Sequence, residues 1–68
     1  MKLSARNQLK GKITEVKKGP VSTEVVLDIN GQSITASITS GSAESLGLKV
    51  GDDAIAVIKA SSVMIGLE

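Results

Sequence analysis

The sequence contains no cysteine, no histidine and no aromatic residue, and it has one proline in 68 residues. Without Cys there are no disulfides. Without Cys and His the ordinary zinc site is excluded, and no metal ion is expected as a direct ligand of the side chains. The same two absences remove the commonest general base and the thiol nucleophile. No carboxylate pair stands at a spacing suited to acid–base work, so an enzyme is not expected. Nucleic-acid-binding sheets stack bases on aromatic rings, and this chain has none. Its 8 basic and 7 acidic residues leave a net charge of +1, too little to draw in a polyanion. No apolar run reaches the length of a membrane span, and no apolar signal segment follows Met1. A cytoplasmic protein that binds neither membrane nor nucleic acid is expected.

What remains is 41% hydrophobic, built from Ala, Val, Ile, Leu and Met. The length allows one domain, residues 1–68. Burying one Val, Leu or Ile contributes about 1.5–3 kcal/mol, and ordering each residue's backbone costs about 1–2 kcal/mol. So short a chain without large side chains is marginal alone. Disulfides and zinc are excluded, so self-association is the expected support.

Leu9, Gly11 and Ile13 alternate with Lys10, Lys12 and Thr14, which predicts a half-buried strand to about Val16. Lys10, Lys12, Lys17 and Lys18 read as solvated charges that blunt a sheet edge. Gly19-Pro20 breaks the strand. Val21–Ile29 resumes it, with Thr23, Val25, Leu27 and Ile29 on one face and Glu24 and Asp28 on the other. Asn30-Gly31 is a strong hairpin signal. A returning strand follows over Ser33–Thr39, with Ile34, Ala36 and Ile38 on its apolar side. Thr39 or Ser40 can cap a short helix within Ser40–Leu48, and Gly47 suits its left-handed end. Ala54–Ile58 is apolar at every position, which predicts a strand buried on both faces and again suggests a partner subunit. Val63, Ile65 and Leu67 alternate with Met64, Gly66 and Glu68 as a last strand. Three strands, a short helix and two strands match the order of an OB-fold. The expected fold is therefore all-β with one short helix: a five-stranded Greek-key barrel.

Three polar clusters fall at strand ends: Ser4-Ala5-Arg6, Thr39 to Ser42, and Lys59-Ala60-Ser61. Asn7 and Gln8 add two amide side chains to the first, and no acidic residue precedes Glu15. Donors without carboxylates suit an anion that carries no proton. The Thr39–Ser42 segment also lies at a predicted helix start, where free N–H groups favour negative charge. Each cluster has a plainer reading: an Arg6 surface pair, a helix cap with a first-turn residue, a lysine beside a turn.

The residues Ser4-Ala5-Arg6-Asn7-Gln8-Leu9-Lys10-Gly11, Val25-Val26-Leu27, Ile38-Thr39 through Ala43-Glu44-Ser45-Leu46-Gly47-Leu48, and Lys59-Ala60-Ser61-Ser62-Val63 together resemble the molbindin (Mop) family of cytoplasmic molybdate-binding proteins. The resemblance covers essentially the whole chain. It implies an OB-like barrel assembled as a homohexamer, a trimer of dimers, with oxyanion sites between subunits. Carried across residue by residue, it implies that Ser4, Ala5, Arg6, Lys59, Ala60 and Ser61 come from one subunit and Thr39 and Ser42 from its neighbour. A second site near the threefold axis is implied at the Pro20 turn, with Val21 and Ser22 as candidates.

The residue types fit that ligand. Molybdate and tungstate are tetrahedral dianions whose oxygens only accept, whereas phosphate keeps a proton part of the time and favours sites with an acceptor. Hydroxyls, backbone N–H groups, Arg and Lys without a carboxylate therefore favour molybdate, tungstate or sulfate over hydrogen phosphate. Charge-assisted bonds are about twice as strong as neutral ones, so Arg6 and Lys59 are expected to carry most of the affinity. The expected role is reversible molybdate binding for intracellular storage, buffering or homeostasis, with tungstate as a possible second ligand. The alternatives are a nucleic-acid-binding OB-fold module and an assembly domain whose strand-end hydroxyls are only caps.

Overall fold

A computed structural model describes all 68 residues. Four strands form one antiparallel sheet: β1 (Asn7–Lys18), β2 (Ser22–Ile29), β3 (Gln32–Thr39) and β4 (Asp53–Ile58). Their order is β3-β2-β1-β4, the Greek-key arrangement in which the fourth strand returns beside the first. Helix α1 (Ser40–Leu46) lies between β3 and β4, and a 3-10 turn (Ala60–Ser62) follows β4.

The long first strand organises the sheet. Its N-terminal half pairs with β4, from Asn7↔Ile58 to Lys12↔Asp53. Its C-terminal half pairs with β2, from Lys12↔Asp28 to Lys18↔Thr23. The register shifts between Ile13 and Glu15, so Thr14 is an extra residue on β1. Its hydroxyl donates to the Val26 carbonyl at 3.3 Å. Such a bulge bends a strand and increases its twist. It also resets the alternation, so that Ile13 and Val16, three residues apart, both pack inward. Gly11 lies where β1 passes close to the end of β2. A Cβ there would sit 2.5 Å from the Asp28 carbonyl oxygen and 2.8 Å from Ile29 Cγ1.

The inner face of β2 is as the alternation predicts. Thr23, Val25 and Leu27 are buried and Glu24 is exposed. Ile13, Val25 and Leu27 form the core, with Val16, Ile29, Ile38, Leu48, Ala54 and Ala56 packed around them. The Asn30-Gly31 hairpin is present, with both residues at positive φ (51° and 88°) between the pair Ile29↔Gln32. Thr39, not Ser40, caps α1: its side-chain oxygen accepts from the Ser42 N–H at 3.1 Å. Gly47 ends the helix in the left-handed region, φ 62°.

Four expectations are corrected. The all-β, OB-like Greek-key fold with one short helix holds, but its sheet has four strands rather than five. Residues 63–68 are not a strand: Met64, Ile65 and Leu67 are about nine-tenths exposed, with no neighbouring strand to complete a ladder. β4 is covered on one face only: Ala54 and Ala56 pack on the core, while Ile55 and Val57 face outward at 40% and 44% exposure. β1 also runs further than predicted, from Asn7 to Lys18.

Candidate functional site

Pairing of Asn7 with Ile58 sets the geometry of the predicted oxyanion residues. It brings the segment before β1 and the segment after β4 to one end of the sheet, so Ser4-Ala5-Arg6 and Lys59-Ala60-Ser61 share that end. Two amide side chains brace it. Asn7 Nδ2 donates to the Ile58 carbonyl at 3.2 Å, and Gln8 Nε2 donates to the Ala5 carbonyl at 3.0 Å. These amides, read from the sequence as ligand donors, are struts for the backbone around Ala5 and Lys59.

The end of β4 leads into a tight turn. Lys59 is extended (φ −63°, ψ 138°), and its carbonyl accepts from the Ser62 N–H at 2.9 Å. The Ala60 carbonyl accepts from the Val63 N–H at 3.2 Å. Neither bond uses the N–H of Ala60 or Ser61, the first amides of the turn, and the first amides of a helical turn have no partner within it. Arg6 and Lys59 are exposed. The only ion pair in the chain joins Lys12 and Asp53, so neither Arg6 nor Lys59 is neutralised by a carboxylate. The simple reading of Arg6 as half of a surface pair is not what the structure has.

Thr39 and Ser42 lie elsewhere. Ser22 pairs with Thr39 and Thr23 with Lys18, which puts the start of α1 at the far end of β1. A 12-residue strand spans on the order of 30 Å or more, and the longest dimension of the molecule is 35 Å. The two halves of the predicted site therefore cannot meet within one chain. The Thr39 hydroxyl donates to Ser42 Oγ at 2.7 Å while accepting from the Ser42 N–H. That leaves the Ser42 hydroxyl proton free to point outward.

Val21 and Ser22, the second candidate pair, are exposed at this same far end. Their turn is closed by the Gly19 N–H donating to the Ser22 carbonyl at 3.0 Å, and the Ser40 N–H donates to the Val21 carbonyl at 2.9 Å. A small open groove of about 210 Å³ beside them is lined by Lys17, Lys18, Gly19, Ser22, Glu24 and Ser37.

A wider groove, about 670 Å³, lies on neither cluster. It is lined by Lys10, Gly11 and Lys12 of β1, Asp53, Ala54 and Ile55 of β4, and Asp28 and Asn30 at the end of β2. Two carboxylates border it, which disfavours a deprotonated oxyanion there. Lys12 Nζ meets Asp53 Oδ1 at 2.8 Å. That hydrogen bond and its charge attraction hold the Asp53 carboxyl below its ordinary pKa and raise Lys12 above its own.

Thr23 and Ser40 hold the far end together, a role that the sequence did not assign to either. Thr23 is 1% exposed, and its hydroxyl meets Ser40 Oγ at 2.9 Å; Ser40 Oγ donates to the Gly19 carbonyl at 2.6 Å. A signal existed: Thr23 is the one hydroxyl on the inward series Thr23, Val25, Leu27, Ile29, and a buried hydroxyl needs a partner.

A Greek-key sheet with carboxylate-free hydroxyl and cation clusters at its ends is the frame of a small ligand-binding β domain. The TOBE domain matches residues 3–65, and the chain belongs to that family and, within it, to the molybdenum-pterin-binding (Mop) group. Molybdenum-pterin-binding protein 3 of Clostridium pasteurianum is 54% identical over 66 residues, 96% of this chain and 97% of that one. The structure of a molybdate-binding protein from Sporomusa ovata superposes with a TM-score of 0.94 at 36% identity, covering 98% of this chain and all of the other. The cytoplasmic molybdate-binding protein ModG, solved with molybdate bound, matches with a TM-score of 0.93 at 43% identity. All of this chain corresponds to 49% of ModG.

Proposed function

We propose that this protein binds molybdate reversibly, with tungstate as a second ligand, at sites formed between copies of the chain, and that it stores or buffers molybdenum inside the cell rather than catalysing a reaction. Ser4, Ala5, Arg6, Lys59, Ala60 and Ser61 of one copy face Thr39 and Ser42 of the next. The observation that carries this reading is the separation of the two donor clusters. Each is free of carboxylates, each is incomplete, and they stand at opposite ends of β1. A site built from both needs a second chain. The molybdate-binding relatives supply the ligand class.

The chemistry follows from the donors. Arg6 and Lys59 supply charge, the turn amides of Ala60 and Ser61 supply directed N–H groups, and the hydroxyls of Ser4, Ser61, Thr39 and Ser42 complete the shell. When an anion arrives, the Thr39 hydroxyl rotates off Ser42 Oγ, so that both hydroxyls donate outward. No proton is taken from the ligand, which suits a fully ionised dianion. The assembly is a homohexamer, a trimer of dimers, and the uncovered apolar residues Leu9, Ile55, Val57, Val63, Met64, Ile65 and Leu67 support self-association. Val21 and Ser22 form the second site near the threefold axis.

Equilibrium dialysis tests this reading. The protein is expected to retain molybdate and tungstate, to release them on dilution, and to ignore phosphate. A protein that retains no molybdate would be an assembly domain whose strand-end hydroxyls are only caps.

A further inference from the structure

We infer that Ser40 and Thr23 are positioning residues that set the spacing of the Thr39 and Ser42 hydroxyls, and through it the preference for molybdate over the smaller sulfate. This rests on the proposed oxyanion site and adds to it two residues that touch no ligand.

Proton counting gives the relay a direction. Ser40 has one hydroxyl proton. The Gly19 carbonyl can only accept, so the Ser40 proton lies on the 2.6 Å bond to it. In the 2.9 Å contact between Thr23 and Ser40, Thr23 must therefore be the donor. The chain of bonds runs from Thr23 through Ser40 to Gly19. Thr23 is buried on β2, 1% exposed, and cannot exchange this bond for water without opening the sheet.

The relay ties three segments together. Ser40 is the first residue of α1, immediately after Thr39 and two before Ser42. Its backbone N–H donates to the Val21 carbonyl at 2.9 Å, and Thr39 pairs with Ser22. Gly19 is fixed at both polar groups: its N–H donates to the Ser22 carbonyl and its C=O accepts from Ser40. A Cβ on Gly19 would lie 2.6 Å from the Ser22 oxygen, so this tight turn excludes larger residues. The backbone carrying Thr39 and Ser42 is thus locked to the 19–22 turn. Sulfate and molybdate share charge and shape and differ in size, so a site separates them only while its donors hold their positions closely. Loosening the backbone lets the hydroxyls close onto the smaller anion.

The experiment compares wild type, Ser40→Ala, Ser40→Thr and Thr23→Val in the assembled protein. The readout is the sulfate concentration that displaces half of the bound molybdate, with molybdate held well above the dissociation constant of every variant. Ser40→Ala is expected to lower that concentration by about tenfold. Ser40→Thr keeps the hydroxyl and stays near wild type. Thr23→Val preserves shape, leaves the bond from Ser40 to Gly19 in place, and falls between them. A merely stabilising role would weaken both anions together and leave the displacing concentration unchanged; that result in Ser40→Ala and Thr23→Val overturns the inference. Amide exchange in the anion-free protein gives a second readout: Ser40→Ala speeds exchange in both the 19–22 turn and residues 40–42, and unchanged exchange contradicts the relay. If wild type binds no molybdate, the proposed function fails, and the exchange measurement alone judges whether the relay locks the two segments.

Discussion

Arg6 and Lys59 show how much one side chain can carry here. Both are exposed cations without a carboxylate partner, at the end of the sheet where β1 begins and β4 ends. In the proposed site each makes a charge-assisted bond to the anion, so replacing either with Ala should weaken molybdate binding by about tenfold or more. Calorimetry on each variant checks this, and unchanged affinity in both removes them from the site. Lys12 and Asp53 are the contrasting case, two charges that satisfy each other. Asp53 titrates below its ordinary value, so its contribution to stability is complete above the unfolded-state pKa and is lost as pH falls through the lowered one. Lys12 is shifted upward, so its contribution is complete below the unfolded-state value and is lost as pH rises through the raised one. Both groups are solvent-exposed, so the effect is small and screened by salt. Thermal melts of Asp53→Asn against wild type should differ slightly at neutral pH and converge in acid and at high salt. A large difference that persists in high salt would contradict a surface pair.

Among the elements, β1 decides what the rest can do. Its bulge at Thr14 and its close approach at Gly11 allow one strand to serve β4 with one half and β2 with the other. Gly11→Ala forces a methyl group against the Asp28 carbonyl and should destabilise the fold by about 1–3 kcal/mol, read as a lowered melting temperature. A neutral result would mean the strands separate there without cost. The elements with local signals were legible in the sequence. Asn30-Gly31 dictated a two-residue turn through positive φ, Thr39 and Gly47 bracketed α1, and the alternation Thr23-Val25-Leu27 marked the inner face of β2. The features set by pairing partners were not. Thr14 looks like any outward residue until its register against Val26 is known. Val63, Ile65 and Leu67 have a strand's pattern but no adjacent strand in the chain, and alternation says nothing about that. The donor clusters could be read from composition. Their division between the two ends of β1 depends on Asn7 meeting Ile58 and Ser22 meeting Thr39, contacts between residues far apart in sequence.

For the whole molecule, the unmet surface and the separation of the two donor clusters point the same way. Met64, Ile65 and Leu67 are almost fully exposed, and the outer face of β4 presents Ile55 and Val57. Within one chain these residues contribute little to stability. Ile65→Asp together with Leu67→Asp should therefore leave the circular dichroism of the sheet intact while shifting the particle toward smaller species in sedimentation. Unchanged particle size would show that this segment takes no part in assembly. In the proposed reading each oxyanion site is completed only when copies meet, so ligand and assembly would be one equilibrium seen from two sides. Native mass spectrometry with and without molybdate measures both at once. The expected result is a six-chain particle that gains whole molybdate anions and resists dissociation once they are bound. A single chain whose mass is the same in either condition would contradict the account.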